Sequence, residues 1–99
     1  MAKHTAEPHD AEAIESYLRQ TAGLGHLRTR RRADLVIIES GPEDDPWPHA
    51  RLRRVGVHLW QLEMATHAGR WETTPVRAPR DEAVRLLVES FGWVLAPLE

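Results

Sequence analysis

HLRTRRRADLVIIES (residues 26–40) decides how the chain is read, because it joins an arginine cluster to a strongly β-forming run. Leu35, Val36, Ile37 and Ile38 are consecutive, mostly β-branched and followed by Ser40-Gly41-Pro42, the composition of a strand and the turn that ends it. Alternation sends Ala33, Leu35 and Ile37 to one face and Asp34, Val36 and Ile38 to the other. Apolar residues on both faces predict a central strand, covered on each side. By the same alternation His26, Arg28, Arg30 and Arg32 project together.

Working toward the C-terminus, GPEDDPWPH (41–49) holds three prolines and three acids and reads as a loop, since proline cannot donate to a strand ladder. Residues 50–55 form the next strand, with Arg51 and Arg53 on one face, and Gly56 turns the chain. In LWQLEMAT (59–66) Trp60, Leu62 and Met64 share a face while Gln61 and Glu63 point away. THAGR (66–70) is a tight turn around Gly69. WETTPV (71–76) is a short strand ended by Pro75, which suits an edge.

Helical patterns flank these strands. Residues 1–9 read as a frayed, flexible segment, and Asp10 then caps a helix with Ile14, Tyr17, Leu18 and Thr21 or Ala22 on one stripe. Gly23 and Gly25 end it. At the other end Pro79, Asp81 and Glu82 open a helix whose apolar stripe is Ala83, Val84, Leu87, Val88 and Phe91. Gly92 is expected as a left-handed terminator, with Trp93 folding back near Val88. The fold class is therefore α+β. An antiparallel meander of three to four strands lies between an N-terminal and a C-terminal helix, in the order α-β-β-β-β-α. Residues 10–97 form the single domain, and residues 98–99 read as a cloning remnant.

Ninety-nine residues suit one small core. Charged residues make up 28% and hydrophobic residues 41%, the balance of a folded globule. No apolar run approaches the ~18 residues that span a membrane, and the first ten residues lack the apolar segment of a secretory signal. Without cysteine there is no disulfide and no thiolate chemistry. The expected location is cytoplasmic, with no membrane partner. Twelve of the thirteen basic residues are arginine, which points to a GC-rich, bacterial genome and discounts arginine as a phosphate signal. Net charge is −2, although residues 20–62 carry seven arginines against five acids.

Motifs for chemistry are scarce. His26, His49, His58 and His67 lack the spacing of a metal site, so no metal and no cofactor is expected. Ser40 precedes Gly41 without the G-x-S-x-G elbow of a nucleophilic serine. Glu39 and Glu63 read as solvated strand carboxylates, and a core this small leaves little room for a pocket of ~300 Å3. The element order resembles that of double-stranded RNA-binding domains, with Gly41-Pro42 and His49 in a strand-connecting loop. Where those domains carry a lysine cluster, this chain has Pro79-Arg80-Asp81-Glu82, so the likeness covers element order and those three loop residues and fails where phosphates would be held.

The reading is a small, non-enzymatic interaction module that binds a protein partner or itself, with a homodimer in view. Its candidate residues are Trp47, held stiffly between two prolines, and Arg28, Arg30, Arg32, Arg51 and Arg53. The alternative is a nucleic-acid-binding domain using the same arginines. Cross-strand pairing would bring Arg53 or Arg54 to Asp34 and Arg51 to Glu39.

Overall fold

The structure, a computed structural model, describes residues 4–66 and 69–96. RTRRR is a strand of its own. β1 (Arg28–Arg32) and β2 (Leu35–Ser40) form a hairpin through Ala33 and Asp34, with Ala33 at φ 54°. This corrects the single strand expected over the stretch. β3 (Trp47–Gly56), β4 (Leu59–Ala65) and β5 (Trp71–Ala78) complete a five-stranded antiparallel sheet in the order β1-β2-β3-β4-β5. The α+β meander between two helices is as expected, with five strands in place of three to four.

The prolines of the acidic loop do not keep it out of the sheet. β3 begins at Trp47, which pairs with Ser40, and Pro48 lies opposite Glu39 where the register slips between Ile38 and Glu39. A bulge is a place where a strand tolerates a residue without an N–H. Pro75 likewise sits inside β5, on the sheet edge. In the expected turn at 66–70, Thr66 donates its N–H to Arg70 O and Gly69 takes φ 75°. His67 and Ala68 lie outside the described residues, as do residues 1–3 and the remnant expected at 98–99.

Helix α1 (Pro8–Ser16) starts before Asp10. Glu7 is its cap, and Asp10, in the third helical position, accepts the Glu7 N–H at 2.9 Å, a capping-box arrangement. Ala6, inside the stretch expected to be frayed, is fully buried and donates to Ala33 O at 2.9 Å. A π-helical turn (Tyr17–Thr21) follows, and Gly23 at φ 72° ends it. Helix α2 (Arg80–Phe91) carries the expected stripe, but Gly92 stays right-handed at φ −54°. The chain tightens into a 3-10 turn (Gly92–Leu95) that leaves Trp93 70% exposed and buries Leu95 instead.

Both helices pack on one face of the sheet. The core there joins Ile14 and Leu18 of the first helix to Val36, Ile38, Leu52, Trp60 and Leu62 of the sheet and Val84 and Leu87 of α2. Each fully buried aliphatic side chain contributes about 1.5–3 kcal/mol. Among the described residues no helix is long and apolar enough to cross a membrane. Among the described residues no helix lies on the opposite face of the sheet, and arginines cover it instead.

Candidate functional site: the arginine-covered sheet face

Strand alternation puts Arg28, Arg30 and Arg32 of β1 on the uncovered face, opposite Glu39, Ile37 and Leu35 of β2. Arg51 and Arg53 of β3 continue the row, with Glu63 of β4 across from Arg51 and Arg77 of β5 across from Gln61. The structure thus brings together all five arginines singled out from the sequence. Trp47 behaves differently. It is 39% exposed, its ring lies against the Gly41 backbone, and it does not line the groove described below, which its neighbours Pro46 and Pro48 do.

Two carboxylates organise the face, and both are buried. Glu39 is 4% exposed and Glu63 8%, against the expectation of solvated side chains. Glu39 receives Arg30 at 3.1 Å and Arg28 at 3.6 Å. Arg51 and Arg53 both pair with Glu63, and Arg53 also reaches Asp34 at 3.1 Å. The pairing of Arg53 with Asp34 is as expected, whereas Arg51 goes to Glu63 rather than to Glu39. The register explains it: Arg51 sits directly opposite Glu63, while the bulge at Glu39 sets Pro48 opposite that residue. Burial works against the Arg53 charge, but hydrogen bonds and attraction from Glu63 and Asp34 outweigh it and raise the guanidinium pKa further.

Trp71 is the component that sequence reasoning missed. The Arg51 guanidinium lies over its ring, 4.2 Å from the centroid. Together they wall an open groove of about 380 Å3. The half-buried Leu35 and the buried Ile37 form its floor, and Pro46, Pro48 and the exposed Arg30 and Arg32 complete its lining. Among the described residues six arginines and three carboxylates occupy this face, counting Arg77 and Asp34, an excess of three positive charges. Among the described residues Arg32 has no ion-pair partner.

A second cleft lies beyond the edge of the helical layer. Pro48, Met64, Ala65, Val94 and the exposed Trp93 line about 470 Å3, with His49 at its base and Glu72 at its rim. Both volumes exceed the ~300 Å3 for which the sequence left little room. His49 is 2% exposed and hydrogen-bonded on both ring nitrogens, to Val94 O at 2.8 Å and to Ser40 Oγ at 2.7 Å. A carbonyl can only accept, so Nδ1 carries the proton and Nε2 accepts from the serine hydroxyl. That is the polarity of a serine general-base pair, but Ser40 is buried at 4% exposure and does not line the cleft. His26 Nε2 donates to Leu95 O at 2.7 Å, 6.1 Å from the His49 ring. His49 of β3 and His26, in the turn before β1, thus hold successive carbonyls of the 3-10 turn.

Among the described residues no three histidine, aspartate or glutamate side chains meet in a way that could hold a metal ion. No protein-family model, curated protein or solved structure matches the chain.

Proposed function

We propose that the protein is a small non-catalytic interaction module and that its docking surface is the uncovered sheet face, centred on the Arg51–Trp71 groove. The observation that carries this reading is the placement of Arg51 between the Glu63 carboxylate and the Trp71 ring. Arginine and tryptophan are the side chains that dominate binding energy at protein interfaces. Here a buried carboxylate and a ring already fix the guanidinium, so little side-chain freedom remains to be lost on docking. The apolar floor of Leu35 and Ile37 supplies surface to desolvate, and the positive excess selects an acidic partner surface.

The same arginines support a second reading, in which they bind nucleic-acid phosphates. Two features weigh against it. Arg28, Arg30, Arg51 and Arg53 spend their charge on Glu39, Glu63 and Asp34, and the exposed acids 43–45 lie in the loop that joins β2 to β3, beyond Gly41 and Pro42. A phosphate backbone would meet those acids as it tracked along the face.

A titration followed by amide chemical shifts decides between the readings. The probes are an acidic peptide carrying leucine and tryptophan, a duplex and a single-stranded oligonucleotide. Protein docking predicts shifts at Arg30, Ile37, Arg51 and Trp71 with the peptide and none with the oligonucleotides. Shifts produced by the oligonucleotides alone, with affinity falling log-linearly as salt rises, would replace this reading with the phosphate one.

A further inference from the structure

We infer that the occupant of the open face is a second copy of this chain, placed antiparallel across a twofold axis that lies in the interface, parallel to the sheet and perpendicular to its strands. The inference rests on the docking reading above and names its partner.

A sheet of this size could self-associate by pairing edge strands, but neither edge is free to do so. On the β1 side the outward N–H of Thr29 donates to Glu15 Oε1 of α1 at 2.7 Å, and Arg31 reaches back to Ala6 O. On the β5 side Pro75 interrupts the row of donors. The face remains.

The charge on that face is divided by position. Residues 43–45, Glu-Asp-Asp, follow the C-terminal end of β2, all exposed and, among the described residues, in no ion pair. Arg32, Ala33 and Asp34 precede its N-terminal end; Asp34 is taken up by Arg53 at 3.1 Å, whereas Arg32 is exposed and unpaired among the described residues. Arg30 shares the single carboxylate of Glu39 with Arg28. One end of β2 is therefore acidic, and the groove lining toward the other end is basic. A twofold rotation about an axis in the interface, above the middle of the strand, turns the second face toward the first and exchanges the two ends. Each copy then sets its acidic loop against Arg30 and Arg32 of the other, with the Leu35–Ile37 floors facing across the axis. Such an isologous contact closes on itself and makes a dimer rather than a fibre.

The size of the face sets the strength. Five strands about 4.8 Å apart and roughly 20 Å long present on the order of 480 Å2. Two copies would cover roughly 1,000 Å2, the lower bound of a specific interface, so the dimer is a weak one that dissociates on dilution.

A charge exchange tests this by sedimentation equilibrium over a concentration series. Arg32→Glu and Asp44→Arg each set like charges against one another twice in a homodimer, while an equimolar mixture of the two variants pairs opposite charges at both contacts. Both positions are exposed, and the circular dichroism of each variant serves as the folding control; Arg32→Gln, which removes charge without reversing it, stands in for a variant that unfolds. The inference predicts that each reversal weakens association at least about tenfold and that mixing restores it. Single variants that associate like the parent protein, or a mixture no tighter than its components, would overturn it. A monomer at every concentration that still binds the acidic peptide would overturn the dimer and leave the docking reading standing. A monomer that binds neither would overturn both.

Discussion

Glu63 lies buried beneath Arg51 and Arg53 on the side of the sheet that carries no helix. A carboxylate in that position is not there to be solvated. It holds two guanidiniums in place and lets their aliphatic stems cover strand surface that a helix would otherwise cover. Glu63→Gln keeps the volume and removes the charge. The expected outcome is a loss of about 1–3 kcal/mol in urea unfolding, because two partly buried arginines lose their shared acceptor. Arg85→Gln, whose pair with Glu89 lies exposed on α2, is expected to change stability by less than about 0.5 kcal/mol in the same assay.

The histidine clasp makes stability depend on pH. Burial lowers the His49 pKa, and the nearby His26 adds to the lowering, while the hydrogen bond to Val94 opposes it. A histidine depressed in the folded state binds its proton more readily in the unfolded chain. Its contribution to stability is thus complete above the ordinary value of 6.5 and declines as pH falls from there toward the lowered folded value. Melting temperature measured from pH 8 to pH 5 is expected to drop across that window, and His49→Gln to flatten the drop. An unchanged slope in the variant would assign the effect elsewhere.

Asp10 adds a loss of the same sign at lower pH. Burial pushes its pKa up, but the Glu7 N–H, Arg80 and His9 together hold it below 3.8. Its contribution is present above that value and fades as pH falls through the lowered folded pKa. Its contact with Arg80 at 2.8 Å ties α1 to α2. Asp10→Asn is expected to lower stability at pH 7 and to narrow the gap from the parent protein in acid, as measured by urea unfolding at the two pH values.

Gly41 carries a steric requirement of its own. Its φ is 83°, and a methyl group there would lie 2.7 Å from the Trp47 ring. Gly41→Ala is expected to cost more than about 1 kcal/mol and to displace Trp47, read from the indole N–H resonance. Gly23→Ala, at φ 72° but with open space around it, is expected to incur the backbone cost while leaving that resonance in place.

Much of the fold was legible where one physical signal dominated. The β-branched run at 35–38 and the apolar stripe of α2 each have a single reading. The hairpin before β2 was hidden because Ala33 turns at positive φ where glycine or asparagine usually marks the bend. β3 was read short because its prolines looked like loop, and only the bulge opposite Glu39 reconciles them with pairing. The shared arginine face was legible from alternation alone. The Arg51–Glu63–Trp71 cluster was not, since it depends on two strand registers that a bulge shifts. Gly92 shows the converse case, a residue suited to a left-handed end that the chain does not use.

Amide-shift mapping across a dilution series, repeated with the acidic peptide, addresses the binding face most directly. The account predicts changes confined to the uncovered side of β1, β2 and β3 and to Trp71, largest at Arg30, Ile37 and Arg51. Changes gathered instead around Met64, Trp93 and Val94, or none with either treatment, would contradict it.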